Sequence, residues 1–173
     1  MTSDEPEQQR RVMNDESTNG RSFARHSSLV TRHFSLVTRS PEETVNFGRE
    51  LAKEVQPPCL VLLEGELGSG KTTLVKGILA ALASVPEDEV TSPSFTLVHE
   101  FAEGRAYHVD LYRVEGPRDL ATLGLDDLLD RDATVLIEWG EKFGGEVPRP
   151  CVRIRCEHLG RDERRITVER LER

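Results

Sequence analysis

No stretch of this chain approaches the roughly eighteen consecutive apolar residues that a membrane-spanning helix needs, and its N-terminal segment has neither an apolar signal core nor a small-residue cleavage site. These absences argue against a membrane or secreted protein and predict a cytoplasmic location. Cysteine is scarce as well. Cys59, Cys151 and Cys156 are odd in number, and no further cysteine pair or nearby histidine pair completes a zinc site, so all three read as reduced thiols. Positive charge is in deficit: the net charge is −8, and only Lys53, Lys71, Lys76 and Lys142 are lysines among 23 basic residues. Affinity for a phosphate backbone comes from clustered Lys and Arg, so any nucleic-acid role is expected to be indirect. Solubility alone also accounts for the acidity. With 173 residues, 36% hydrophobic and 31% charged, the chain has the length of one domain and enough apolar material for a sizeable core.

Against that background, Gly65-Glu66-Leu67-Gly68-Ser69-Gly70-Lys71-Thr72 fits G-x-x-x-x-G-K-[ST] without a mismatch. Leu60-Val61-Leu62-Leu63 ahead of it reads as a buried strand, and Lys71 to Ala83 behind it reads as a helix with Leu74, Ile78 and Leu82 on one face. A chance glycine-rich turn would lack this strand, loop and helix order. The glycines let successive backbone N–H groups turn inward, and the helix adds its own unpaired N–H groups and positive dipole end, which favours phosphate there. The pattern predicts nucleoside triphosphate binding. Lys71 is expected to reach the β- and γ-phosphates, and Thr72 to offer a hydroxyl to Mg²⁺.

Residues 1–32 are polar with few large apolar side chains, which predicts a disordered tail ahead of a single domain at 33–173. Ser28-Leu29-Val30-Thr31-Arg32 recurs as Ser35-Leu36-Val37-Thr38-Arg39, and the second copy is expected to form the strand. Ser40-Pro41-Glu42-Glu43 then starts a helix, with Ser40 as N-cap and Glu43 closing a capping box. It is expected to run to about Val55, before Pro57-Pro58. Ala106 to Leu111 and Val135 to Glu138 read as strands, the second central because Val135-Leu136-Ile137 is apolar throughout. Asp119 to Asp130 reads as one short acidic helix. Val152 to Glu157 and Arg164 to Val168 alternate with period two about Leu159-Gly160-Arg161-Asp162, an antiparallel hairpin. The fold class is α/β: a P-loop NTPase-like mixed sheet flanked by helices, ending in that hairpin.

Hydrolysis requires an acid near Mg²⁺ and a group that places the attacking water. Glu138 and Asp110 both fall at strand tips, where a magnesium-facing carboxylate emerges; the plainer reading of each is a solvated or capping acid. His108 invites a general-base role. Alternation is expected to turn it away from the neighbours of Asp110, which leaves it as a packed or hydrogen-bonded histidine. Trp139, the sole tryptophan, either stacks on a base or partner surface or is an ordinary buried ring.

The P-loop through Thr73, then Ser92-Pro93-Ser94-Phe95-Thr96-Leu97-Val98, His108-Val109-Asp110-Leu111-Tyr112-Arg113, Leu123-Gly124-Leu125-Asp126-Asp127 and Leu136-Ile137-Glu138-Trp139, in this order, closely resemble the TsaE (YjeE) family of bacterial ATPases. The resemblance covers about Phe34 to Leu171. It implies that Thr72 and Glu138 bind Mg²⁺, that Asp110 is required for activity, that Ser92 to Thr96 is a switch sensing the γ-phosphate of ATP, and that Trp139 is functional. It also implies that the turn at Ser40 lies near the nucleotide base. It further implies a weak ATPase serving the complex that makes N6-threonylcarbamoyladenosine at position 37 of tRNA, with TsaD- and TsaB-type partners doing the chemistry. Ser94 stands where the family more often has threonine, and Gly140 where serine or proline is more usual; neither change removes a needed chemical group.

Two other classes share a P-loop, GTPases and small-molecule kinases. A GTPase is excluded by the lack of any lysine in an Asn/Thr-Lys-x-Asp context and of any aspartate followed three residues later by glycine. A small-molecule or nucleoside kinase remains the alternative, with Arg113 and Arg118 as lid candidates.

Overall fold

In the computed structural model, which describes residues 33–144, 147, 148 and 150–171, the second copy of the repeat forms β1 (His33–Thr38); the first copy and the tail lie outside the described residues. There follow α1 (Pro41–Leu51), β2 (Cys59–Glu64), α2 (Lys71–Leu82), β3 (Val98–Phe101), β4 (Ala106–Asp110), α3 (Pro117–Ala121), α4 (Leu125–Leu129), β5 (Thr134–Glu138), β6 (Cys151–Gly160) and β7 (Glu163–Leu171). All seven strands join one sheet in the order β1-β7-β6-β2-β5-β4-β3. β6, β2, β5 and β4 run parallel, and β7, β1 and β3 add antiparallel pairings, so the sheet is mixed as expected.

Period-two alternation sorts the central strands into two apolar faces. Val61 and Leu63 of β2, Leu136 of β5, Ile154 of β6 and Ile166 of β7 pack against Leu51, Leu74, Ile78 and Leu79 of α1 and α2. The opposite sides, Leu60, Leu62, Val109, Val135 and Ile137, pack with Leu125 and Phe143. Burial on both faces explains why β5 reads as a continuous apolar run. No helix among the described residues is long and apolar enough to cross a membrane.

Three boundaries differ from the expectation. α1 stops at Leu51, short of Val55, because Lys53 and Glu54 donate to Glu50 and Leu51, three residues back, tightening the chain into turns before the prolines are reached. Val55 still reaches the core, fully buried. The acidic helix at 119–130 is two short ones, α3 and α4, because Gly124 adopts a left-handed conformation (φ 60°) that interrupts the right-handed path. The hairpin is longer than its alternating residues, extending to Gly160 on one arm and Leu171 on the other.

The start of α1 follows its sequence. Ser40 Oγ accepts from Glu43 N–H at 3.1 Å, and Glu43 Oε2 accepts from Arg39 N–H at 2.7 Å, one residue earlier than the usual box partner. Along their length α1 and α2 meet through Gly48 and Gly77; a methyl on Gly77 would collide with the Val45 carbonyl. This contact seats α2, and with it the loop before it, against the sheet.

Candidate functional site

The loop between β2 and α2 leaves the C-terminal edge of a central strand and turns on Gly65, Gly68 and Gly70. At Gly65 (φ 136°) a side chain would strike the Cys156 carbonyl of β6, so only glycine lets the loop lie against the neighbouring strand. Gly70 (φ 101°) is the residue from which α2 departs. Glu66 and Leu67 form an exposed crest, while Ser69 and Lys71 are buried. Lys71 Nζ donates to the Gly65 and Glu66 carbonyls at 2.6 and 2.9 Å and lies 4.1 Å from the centre of the Trp139 ring. Ser69 Oγ is buried in the loop's interior without a partner among the described residues. An ammonium held by soft contacts, an unsatisfied hydroxyl and the N-terminus of a twelve-residue helix together suit an oxyanion such as phosphate.

The carboxylates arrive on adjacent parallel strands. Asp110 of β4 stands in register with Glu138 of β5, and Glu138 in turn with Leu63 of β2, so both acids reach the edge where the loop begins. Both are buried. Thr72 Oγ1, in the first turn of α2, is 2.8 and 2.9 Å from the two oxygens of Glu138. A hydroxyl and a carboxylate meeting at one point form an oxygen set suited to Mg²⁺, which takes few protein ligands and completes its shell with phosphate and water. Among the described residues no group of three or more His, Cys, Asp and Glu side chains could hold a metal ion.

Asp110 makes a different set of contacts. Its Oδ2 accepts from the hydroxyl of Ser92 and from that of Ser94 at 3.4 Å, the two serine oxygens are 2.8 Å apart, and its Oδ1 accepts from Tyr112 N–H at 2.8 Å. The segment Ser92-Pro93-Ser94-Phe95-Thr96 is thereby tied to the strand tip beside Glu138. Phe95 is 84% exposed, with the Arg113 guanidinium 4.2 Å over its ring. Arg113 is thus stacked on this segment. Trp139 is half-buried, packed on Tyr112 with ring centres 5.1 Å apart. Ser40 caps α1 with its hydroxyl, at the same end of the sheet as the loop. Thr73 is half-buried in the first turn of α2.

The reading of His108 needs correction. Residues two apart on a strand share a face, so His108 points with Asp110, and its Nε2 is 2.8 Å from Glu138 Oε1. Hydrogen-bonded it is, but to the site. Sequence reasoning also missed Arg164, whose side chain lies 3.6 Å from where a Cβ on Gly70 would be. Nothing local marks that contact, since it depends on β7 folding back along β6. Beneath the loop, burial pushes the Cys156 thiol up to about 12, with Lys71 opposing and Glu138 assisting; burial likewise pushes Cys59 up to about 11.

A glycine loop between a central parallel strand and a helix, with a helix-borne hydroxyl facing a strand-tip carboxylate from the next strand, defines a P-loop NTPase-type fold. The particular family follows from comparison: residues 38–166 match the model for "Threonylcarbamoyl adenosine biosynthesis protein TsaE", and the chain belongs to the TsaE family. It is similar to the tRNA threonylcarbamoyladenosine biosynthesis protein TsaE of Treponema pallidum, 34% identical over 134 residues that cover 76% of this chain and 97% of the relative. The protein of the same name from Bacillus subtilis is 36% identical over 132 residues, covering 75% and 81%. Among solved structures it resembles the crystal structure of Bacillus subtilis YdiB, with a TM-score of 0.63 and 31% identity over 80% of this chain and 85% of that one.

Proposed function

We propose that this chain is an Mg²⁺-dependent ATP-binding protein with weak ATPase activity that supports the complex making N6-threonylcarbamoyladenosine at position 37 of tRNA. In this reading TsaD- and TsaB-type subunits do the chemistry on tRNA, and ATP hydrolysis here resets the threonylcarbamoyl transferase. The observation that carries it is the meeting of Thr72 and Glu138 at one point beside a loop whose lysine is folded inward.

Lys71 exchanges two neutral carbonyls for phosphate oxygens when ATP enters, a stronger charge-assisted pairing. The N–H groups of the loop and of the first turn of α2 hold the remaining oxygens. Thr72 and Glu138 would hold Mg²⁺, which would supply neutralisation of charge on the phosphates. Asp110, tied to Ser92 and Ser94, links the strand tip to the loop that senses the γ-phosphate and helps to place the attacking water. The relatives' role in tRNA threonylcarbamoyladenosine biosynthesis, carried in their name, supports this biosynthetic setting.

A reconstituted reaction with the transferase subunits tests the reading. Glu138→Ala and Asp110→Ala are expected to bind ATP within about threefold of wild type, because each removes negative charge from a site crowded with phosphate, while hydrolysis falls at least about tenfold and tRNA modification stops after the first round. Repeated rounds at the wild-type rate with either variant would refute resetting by hydrolysis on this chain.

A further inference from the structure

None of the roles assigned above uses His108, although it is fully buried. It lies on the α2-facing side of β4, level with Leu136 of β5 and two residues below Asp110. Because a carboxylate accepts, the 2.8 Å contact with Glu138 Oε1 places the proton on His108 Nε2. The other ring nitrogen, Nδ1, is buried without a partner among the described residues. A leucine would fill this place without leaving a polar atom unsatisfied, so packing alone does not account for an imidazole here.

We propose that His108 is a positioning residue for Glu138: by its contact with Oε1 it holds in a fixed orientation the carboxylate whose two oxygens lie 2.8 and 2.9 Å from the Thr72 hydroxyl. This inference rests on the reading of Thr72 and Glu138 as the Mg²⁺ ligands. A small cation that demands near-octahedral geometry gains most from such a tether, and partners standing behind a metal ligand typically change affinity about 10–100-fold when removed.

The test is an Mg²⁺ titration of protein loaded with a non-hydrolysable ATP analogue, followed by the fluorescence of Trp139, the only tryptophan. In His108→Gln the amide nitrogen can occupy the place of Nε2; in His108→Asn it falls near Nδ1 and cannot reach Glu138. The glutamine variant is expected to take Mg²⁺ within about threefold of wild type and the asparagine variant to need about 10–100-fold more, with metal-free analogue affinity unchanged in both. Placed on a Glu138→Gln background, His108→Asn should add almost nothing. Equal Mg²⁺ requirements in the asparagine variant and wild type, or the same rise in both variants, would overturn the proposal. A second measurement needs no substitution: the ¹⁵N imidazole spectrum of the wild-type protein should show a proton on His108 Nε2, and a ring protonated at Nδ1 alone would overturn it. Wild-type protein that takes no Mg²⁺ at all would instead overturn the metal reading of Thr72 and Glu138.

Discussion

Lys71 concentrates the logic of the site at the scale of a single residue, since its ammonium is buried and satisfied by the carbonyls of its own loop. Lys71→Ala is expected to weaken ATP binding by about 10–100-fold, the worth of a hydrogen bond to a charged group, while the melting temperature moves only a few degrees. Isothermal titration and thermal denaturation on the same preparation check both halves. Lys71, Thr72 and the glycines were legible because their spacing is a local property of the chain. Glu138 and Asp110 were legible as acids ending apolar runs. His108 was misread because its partner sits on another strand, and only the β4 to β5 register brings the two together. Ser92 and Ser94 were visible as an unusual loop, but their hold on Asp110 required the fold.

Among elements, the packing of α1 on α2 decides where the loop sits. Gly77→Ala would gain about 0.5–1 kcal/mol of helix propensity, yet its methyl would press on the Val45 carbonyl, and overpacking of this kind costs about 1–3 kcal/mol or more. The clash wins, because backbone cannot rotate aside as a side chain can. A fall of about 3–10 °C in melting temperature is expected, together with weaker ATP binding, since α2 can yield only by shifting its own N-terminus. A melting temperature at or above wild type would show that the helices separate freely. Strand identities and the hairpin were readable from alternation. The end of α1 and the break at Gly124 were not, because apolar spacing continued through both while backbone turns had already closed.

For the molecule as a whole, two buried thiols shape the response to alkali. Cys59 and Cys156, raised to about 11 and 12, keep their protons in the folded state where the unfolded chain has begun to lose them near pH 9. The unfolded state then binds fewer protons, so stability is intact below about pH 9 and falls as the pH rises toward 11–12. Urea denaturation at pH 8 and pH 10.5 should show a smaller alkaline loss in a Cys59→Ala, Cys156→Ala variant than in wild type. A chain beginning at Arg32 is expected to keep wild-type ATP hydrolysis, because the matched family region starts at residue 38; a large loss in a direct rate comparison would contradict this.

The neighbours of β2 in the sheet are β5 and β6, which begin at residues 134 and 151. The loop that follows β2 is therefore translated long before the strands that flank it. A ribosome that has released only the first hundred residues from its tunnel has exposed every glycine of the loop, but neither Glu138 nor the Cys156 carbonyl against which Gly65 closes. The order of synthesis delays the meeting of Thr72 with Glu138, and the closure of Gly65 on β6, until the residues up to 156 have emerged, so a nascent chain carries the whole glycine motif before the strands that flank it.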